Sequence, residues 1–216
     1  MNYAIPDYVI KQKIDKIFKT LFDKELLDTS WEDDDKFHKI WRRTNSIMKI
    51  SEAKYIILLN DDLLKKYKNF WAGHFIEEFD IYNDFFQQAA SYLLSMYEHI
   101  KRFLLLILDK KKLSLKNKST YGGIITKIAQ NCSYDEKELL ELFDVSTRNI
   151  IGHDDWYYSD KNFTYEDSNG NEKKITIEEF VKRIYHVTSL SSAVSVSWFQ
   201  YVLPLLSNKS GRSKNY

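Results

Sequence analysis

Residues 86–107, with the sequence FQQAASYLLSMYEHIKRFLLLI, decide the fold class of this chain. Apolar side chains recur there every three or four positions, starting at Phe86 and Ala90, which is the period of an amphipathic helix. The pattern extends in both directions and predicts one long helix over residues 75–110. Glycine (6 residues) and proline (2 residues) are scarce among the 216 residues, which argues against a loop-rich or all-β fold. We therefore expect an all-α helical bundle.

The same period predicts shorter helices before and after the long one. They are expected over residues 6–22, 34–50, 120–131, 134–151 and 177–206. Two of them begin with Ser or Thr followed three residues later by Glu, the capping-box pattern that stabilises a helix N-terminus. These pairs are Ser133 with Glu136 and Thr176 with Glu179. Gly152 is expected to end the helix over residues 134–151, as a C-terminal glycine commonly does.

Residues 156–176 change from a helical pattern to a strand pattern. Tyr157 and Tyr158 are followed by the β-prone run 162–166, by the turn-forming run 167–171 (DSNGN) and by Lys173-Lys174-Ile175-Thr176. Two β-prone runs that flank such a turn predict a β-hairpin. The expected organisation is thus an N-terminal helical extension (residues 1–72), a helical bundle with a small β-hairpin insertion (residues 73–206) and a disordered polar tail (residues 207–216).

Charge and cysteine content narrow the classes of partner. The net charge is +1, so the chain as a whole is not a general polyanion binder. Any contact with RNA has to use a local patch, and the candidate is the basic cluster Lys110, Lys111, Lys112, Lys116 and Lys118. A single cysteine, Cys132, fits a reducing cytoplasm. The longest apolar run is too short to span a bilayer, and the first residues lack a signal-peptide pattern, so we expect a cytoplasmic protein without a membrane partner.

The run Arg148-Asn149-Ile150-Ile151-Gly152-His153 carries the clearest chemistry. Arginine binds phosphate through a planar fork of donors, and histidine transfers protons near neutral pH. On a regular helix Arg148 and His153 lie about 140° apart, so one unbroken helix cannot point both into a single cleft. Either Gly152 breaks the helix, or two copies of the helix meet at a two-fold axis and share a cleft. Asn149 lies on the face of His153 and can orient the imidazole or contact phosphate.

Three further residues are candidates for supporting roles. Asp144 precedes Arg148 by one helical turn and can hold its guanidinium group. Glu98 lies on the long helix and can contribute to the cleft, although a solvated ion pair with Arg102 explains it equally well. Trp156 follows the motif closely, and aromatic side chains stack on unpaired bases.

At these residues the chain resembles the HEPN domains (higher eukaryotes and prokaryotes nucleotide-binding). Their signature is Arg, a polar residue such as Asn, a few more residues and then His at the end of a core helix in an all-α bundle. Arg148, Asn149 and His153 match it, and the resemblance covers roughly residues 75–206. It implies a metal-independent endoribonuclease without a cofactor that works as a homodimer through the motif helix. Arg148 would be the phosphate clamp, His153 the proton-transfer group and Asn149 an orienting group.

The resemblance also implies products and partners. Cleavage would leave 2′,3′-cyclic phosphate and 5′-hydroxyl ends on the RNA substrate, in bacterial antiviral defence or a toxin–antitoxin type of stress system. A defence-system or antitoxin protein would be the partner. Some relatives are toxins silenced by a nucleotidyltransferase that modifies a tyrosine two residues after the histidine, a position that Asp155 occupies here.

Other readings of the same residues remain open. A HEPN-like domain without catalysis would bind a nucleotide, RNA or a protein partner. A helical interaction module would have no relation to RNA and would use the Trp-rich N-terminal half. Arg148 can simply pair with Asp144, and His153 can interact with the helix dipole. The cluster Asp33-Asp34-Asp35 with His38 is better explained as an acidic helix N-terminus than as a metal site, and no metal is expected.

Overall fold

The computed structural model describes residues 7–28, 42, 78–153, 156–160, 162–167 and 169–212. Within these residues the chain is mainly helical, with six helices and one small antiparallel sheet. The helical fold class expected from the periodicity is confirmed. No helix in the described part of the chain is long and apolar enough to cross a membrane. The helix predicted over residues 34–50 lies outside the described residues, except for Arg42.

In the described residues, five helices precede three consecutive strands and a sixth helix follows them. The helices are α1 (Asp7–Asp23), α2 (Glu78–Ile107), α3 (Tyr121–Cys132), α4 (Glu136–Leu142), α5 (Val145–Gly152) and α6 (Ile177–Arg212). The strands β1 (Trp156–Ser159), β2 (Asn162–Glu166) and β3 (Glu172–Thr176) lie between α5 and α6.

The described residues form two compact units. The first, here called the α1 unit, contains residues 7–28, 97–146 and 185–212. The second, here called the sheet unit, contains the described residues among 33–96 and 147–184. Helices α2, α5 and α6 each contribute residues to both units.

In the α1 unit, helix α1 is an integral part of the core. Its buried stripe is Ile10, Ile14, Ile17, Phe18 and Leu21, which repeats at the three- and four-residue spacing of a core-facing helix. A polar contact also holds helix α1 in place, because the Ser197 hydroxyl on α6 donates to the Asp15 carboxylate. Residues 7–28 of the predicted N-terminal extension therefore pack directly against elements that follow residue 97.

The sheet unit is built on an aromatic cluster. Strand β2 is central in the order β1-β2-β3, and both neighbours pair with it antiparallel. Phe163 on β2 is buried and lies 4.8 Å from Phe180 and 5.9 Å from Phe86, between ring centroids. Phe86 and Phe180 meet edge to face at 5.4 Å, a favoured geometry for aromatic pairs. The sheet therefore packs its apolar face on α2 and α6.

The predicted hairpin is confirmed as β2–β3, and β1 extends it to three strands. The turn closes because the Asp167 N–H donates to the Asn171 carbonyl and the Gly170 N–H donates to the Asp167 carbonyl, each at 2.9 Å. Gly170 has φ 76°, a left-handed conformation that glycine adopts without strain. Trp156 at the start of β1 pairs with Tyr165, a contact for which the sequence pattern gave no separate signal.

The single helix predicted over residues 134–151 is wrong, because the structure has two helices there. Asp144 separates α4 from α5 with φ 47°. The predicted cap is also different: Ser133 ends α3 in a left-handed conformation, and Asp135 caps α4 by accepting the Glu138 N–H at 2.7 Å. A carboxylate at this position satisfies a helix N–H that has no partner within the helix.

The capping box predicted for the last helix is confirmed. The Thr176 hydroxyl accepts the Glu179 N–H at 3.2 Å, and the Glu179 carboxylate accepts the Thr176 N–H at 3.1 Å. Two otherwise unpaired N–H groups are satisfied at once. Helix α6 continues beyond residue 206 to Arg212, so residues 207–212, expected in a disordered tail, are helical.

Candidate functional site

Helix α5 contains Arg148 to Gly152 of the Arg–His motif, and His153 follows it directly. Gly152 is the last residue of the helix, as predicted, and has no left-handed φ. The N–H of His153 donates to the carbonyl of Asn149 at 3.1 Å, which is the spacing of a helical hydrogen bond. The backbone therefore keeps its helical path from Arg148 up to the N–H of His153.

The continuous helix divides the motif between two faces. At about 100° per residue, Gly152 lies about 40° from Arg148, whereas Asn149 and His153 lie about 100° and 140° from it. Arg148 and Gly152 thus share one face, and Asn149 and His153 share another. The helix ends at Gly152, directly before His153, so both a turn at the helix end and a cleft completed by a second chain stay open.

The Arg148 side chain lies against Gly152. A Cβ atom placed on Gly152 would be 3.3 Å from Nη1 and 3.5 Å from Cζ of Arg148, and 3.7 Å from Leu94. Because glycine has no side chain, the guanidinium group of the half-buried Arg148 can lie close to Gly152 at the last turn of α5. A cation in this position interacts favourably with the negative end of the helix dipole.

Asn149 and His153 are exposed to solvent. An exposed imidazole can receive and release protons without breaking buried contacts. An exposed amide one turn before it can donate to a ligand or to the imidazole. Asp154 and Asp155, which follow in the sequence, lie outside the described residues.

The start of α5 is fixed by a buried hydrogen-bonded turn, Leu142-Phe143-Asp144, here called the α4–α5 junction. His186 Nε2 lies 2.7 Å from the Leu142 carbonyl oxygen, and the Tyr121 hydroxyl donates to the Phe143 carbonyl at 3.0 Å. The Tyr97 hydroxyl donates to the Asp144 carboxylate at 2.8 Å. Since a carbonyl only accepts, Nε2 of His186 carries the hydrogen.

One further contact fixes the residue directly before the motif arginine. Thr147 is buried, and the guanidinium group of the buried Arg183 donates to its hydroxyl. Thr147 and Arg183 both belong to the sheet unit. Buried arginine is uncommon unless its charge is compensated by hydrogen bonds or ion pairs. The hydrogen bond from Arg183 to Thr147 links α6 to α5.

The three supporting residues predicted from the sequence, Asp144, Glu98 and Trp156, are buried or half-buried and each contacts another side chain. Asp144 is only 1% exposed, and its carboxylate accepts the Tyr97 hydroxyl. Glu98 is half-buried and pairs with Lys101 at 3.3 Å. Trp156 is half-buried, and its ring stacks on Phe163 at 4.6 Å with an interplanar angle of 21°. One face of the indole is therefore already covered.

Other ionisable or nucleophilic groups are structural. His99 and His186 are buried. Burial, followed by the nearby charge of Arg102, lowers the pKa of His99 from 6.5 to about 4. The Cys132 thiol is also buried, and burial raises its pKa, which disfavours the reactive thiolate. His74 and the acidic run at residues 33–35 with His38 lie outside the described residues. Within the part that the structure describes, no cluster of three or more His, Cys, Asp or Glu side chains could hold a metal ion.

The α4–α5 junction is the part of the site that sequence reasoning missed. Its donors are separated from their acceptors by 22 to 47 residues, so no local pattern links them. Asp144 was the one available signal, because Asp tolerates left-handed backbone better than most residues.

We predict that Tyr97→Phe lowers the free energy of unfolding by about 1–3 kcal/mol, because it leaves a buried carboxylate oxygen without this donor. Urea unfolding measures the effect. The matched control is Tyr8→Phe, since Tyr8 is 65% exposed and its hydroxyl can bond to water. Equal stability of the two variants would contradict a role for the Tyr97–Asp144 contact in holding the junction.

No family model matches the chain, and neither does any curated protein or solved structure. Any functional assignment therefore depends on the residues of α5 and their surroundings.

Proposed function

We propose that the chain is a metal-independent endoribonuclease of the HEPN type that acts as a homodimer in the cytoplasm. One observation carries this proposal. The Arg148 side chain lies close to Gly152, the last residue of α5, and His153, the next residue in the chain, is exposed. A phosphate-binding cation and a proton-transfer group thus occupy the same helix end. RNA is the substrate class that this pair of groups suits, because its cleavage needs no group beyond its own 2′-hydroxyl as nucleophile.

In the proposed reaction, the ribose 2′-oxygen forms a bond to the adjacent phosphorus atom. His153 as general base takes the 2′-hydroxyl proton, or as general acid gives a proton to the leaving oxygen. The bond from phosphorus to the 5′-oxygen breaks, and the departing oxygen gains a proton to become a 5′-hydroxyl. If His153 is the base, water supplies that proton; if His153 is the acid, water takes the proton of the 2′-hydroxyl. The other product is a 2′,3′-cyclic phosphate. Arg148 stabilises the negative charge that builds on the phosphorane oxygens, and Asn149 orients the imidazole or the phosphate.

The dimer follows from the two faces of α5. On a regular helix, Arg148 and His153 of one chain would lie about 140° apart. A two-fold axis near the helix end would place Arg148 of one chain beside His153 of the other, and the symmetry would create two equivalent clefts. A bacterial defence or toxin-type system, with a partner protein that controls cleavage, is the setting we propose.

We predict that the purified protein cleaves single-stranded RNA in the presence of EDTA. Arg148→Ala should reduce the rate about 10²-fold or more, as the loss of one charge-stabilising donor does. His153→Ala should reduce it about 10²- to 10⁴-fold, the range for general acid–base groups. Gel analysis of a labelled RNA with chemical identification of both ends measures the effect.

Arg102→Ala is a suitable control, because Arg102 is an exposed cation on α2. Cleavage that requires a divalent metal, or that survives in both motif variants, would contradict the proposal. A folded dimer that binds RNA but cleaves none would favour a non-catalytic HEPN-like domain instead.

We also predict that mixing the two inactive variants restores activity. A dimer of one Arg148→Ala chain and one His153→Ala chain has two clefts. If each cleft takes Arg148 from one chain and His153 from the other, one cleft keeps both residues and the other has neither. Because half of the dimers are mixed after random exchange, about a quarter of the wild-type rate should return. Size-exclusion chromatography with light scattering checks that chains exchange. If mixed dimers form and stay inactive, each cleft takes both residues from one chain.

The glycine under Arg148 supplies a further prediction. Gly152→Ala should leave the melting temperature unchanged or raise it, since alanine favours helix over glycine by up to about 1 kcal/mol. The rate of RNA cleavage should nevertheless fall, because the new Cβ atom would be 3.3 Å from Nη1 and would displace the guanidinium group. In the Arg148→Ala background the same change should have no further effect on rate. Equal rate losses in both backgrounds would show that Gly152 acts independently of Arg148.

A further inference from the structure

The loop between α2 and α3 concentrates the positive charge of the chain. Residues 109–119, here called the lysine loop, contain five lysines and one carboxylate, that of Asp109. The loop therefore has a charge of +4, although the whole chain has +1, and the remainder of the chain is net negative. A local patch of this kind is where a polyanion would bind a nearly neutral protein.

The carboxylate of Asp109 does not neutralise the lysine side chains. Its Oδ1 atom accepts the backbone N–H groups of Lys111 at 3.0 Å and Lys112 at 2.9 Å. Asp109 thus shapes the turn, as Asp commonly does through bonds to backbone N–H groups two and three residues on. In the described part of the chain, no ammonium group of the loop forms an ion pair with Asp109.

The lysine loop is held in one shape by its apolar residues. Leu113 and Leu115 are buried, whereas the lysines at positions 110, 111, 112, 116 and 118 are exposed. The Leu113 N–H donates to the Asp109 carbonyl at 3.0 Å, and the Leu115 N–H donates to the Lys110 carbonyl at 2.7 Å. An anchored loop presents its charges with less loss of conformational entropy on binding than a free segment does.

The five lysines differ in their partners. Lys112 contacts Glu25 through both the carbonyl, at 2.8 Å, and the carboxylate, at 3.3 Å. Lys110 donates to the Asn117 side chain at 3.1 Å. In the described part of the chain, Lys111, Lys116 and Lys118 form no ion pair with a carboxylate.

We infer that the lysine loop binds the sugar–phosphate backbone of single-stranded RNA, an inference that rests on the proposed ribonuclease function. The loop has no aromatic side chain, so it cannot stack bases, and its lysines act as point charges without base selectivity. It contributes affinity and not sequence preference, and that contribution falls as salt rises.

Binding of a labelled 20-nucleotide oligo(U) to the His153→Ala protein, measured by fluorescence anisotropy at several salt concentrations, tests the inference. In Lys116→Gln/Lys118→Gln, the slope of log Kd against log salt should fall by about 1.4, since each phosphate contact on a single strand contributes about 0.7. Binding of oligo(A) should weaken by the same factor. The overall fold of each variant is checked by circular dichroism.

The matched control is Lys173→Gln/Lys174→Gln, which removes the same charge from adjacent exposed lysines on β3. Lys173 pairs with Asp167 at 3.7 Å, and Lys174 pairs with Asp160 at 3.4 Å and with Glu172 at 3.6 Å. The inference expects no change in slope for this control. An equal change in both double variants, or no change in either, overturns it. So does binding to phosphatidylserine vesicles that depends on the loop when binding to RNA does not.

The two proposals fail separately in these measurements. If the loop variant binds RNA normally while Arg148→Ala and His153→Ala abolish cleavage, the lysine-loop inference is overturned and the ribonuclease proposal stands. If RNA binding depends on the loop but the wild-type chain cleaves no RNA, the loop inference stands and the ribonuclease proposal fails.

Discussion

The hydrogen bonds that close the α4–α5 junction are the constraint on which the motif helix depends. The chain must leave one helix and start another inside the core, where an unpaired carbonyl or carboxylate costs about 1–3 kcal/mol. Tyr97, Tyr121 and His186 donate to the three consecutive residues of the junction. Their donors come from α2, α3 and α6, so three elements of the α1 unit meet at this turn. The position at which α5 begins is thereby fixed by buried groups and not by its own sequence.

Helix α5 carries Arg148 and ends directly before His153. Thr147 is bonded to Arg183 just before the motif, and the absent side chain of Gly152 leaves room for the guanidinium group of Arg148. His153 follows the last residue of the helix and would lie about 140° from Arg148 on a regular helix. Two complementary groups at one helix end need not face each other within one chain. Symmetry is the simplest means by which such groups can meet, because a two-fold axis places each beside its complement.

Positive charge is concentrated in one loop of a chain that is nearly neutral overall. Net charge far from zero would attract nucleic acid to the whole surface, whereas this chain has +1 overall and +4 in the lysine loop. Lysines that pair with acidic side chains, such as Lys173 and Lys174 of β3, contribute little net positive potential at the surface. Under the proposed function, affinity for phosphate would come from one loop and the chemistry from one helix end.

The sequence by itself determined the elements whose signals are local. The three- and four-residue period gave α1, α2, α3 and α6, the Thr176–Glu179 capping box marked the start of α6, and the turn around Gly170 marked the β2–β3 hairpin. The Arg148–His153 pair and the basic cluster of the lysine loop were identified from their residue types as candidate functional groups. In each case the residues that interact, or that define the chemistry, lie close together in the chain, so a short window contains the whole signal.

Only the tertiary structure decided where the helix over residues 134–151 divides and where Arg148 points. No glycine or proline marks the break at Asp144, and the donors that stabilise it lie 22 to 47 residues away. The third strand and the stacking of Trp156 on Phe163 also depend on pairing within the folded unit. These features arise because buried polar groups and aromatic rings must find partners in space, and the partners that satisfy them are distant in sequence.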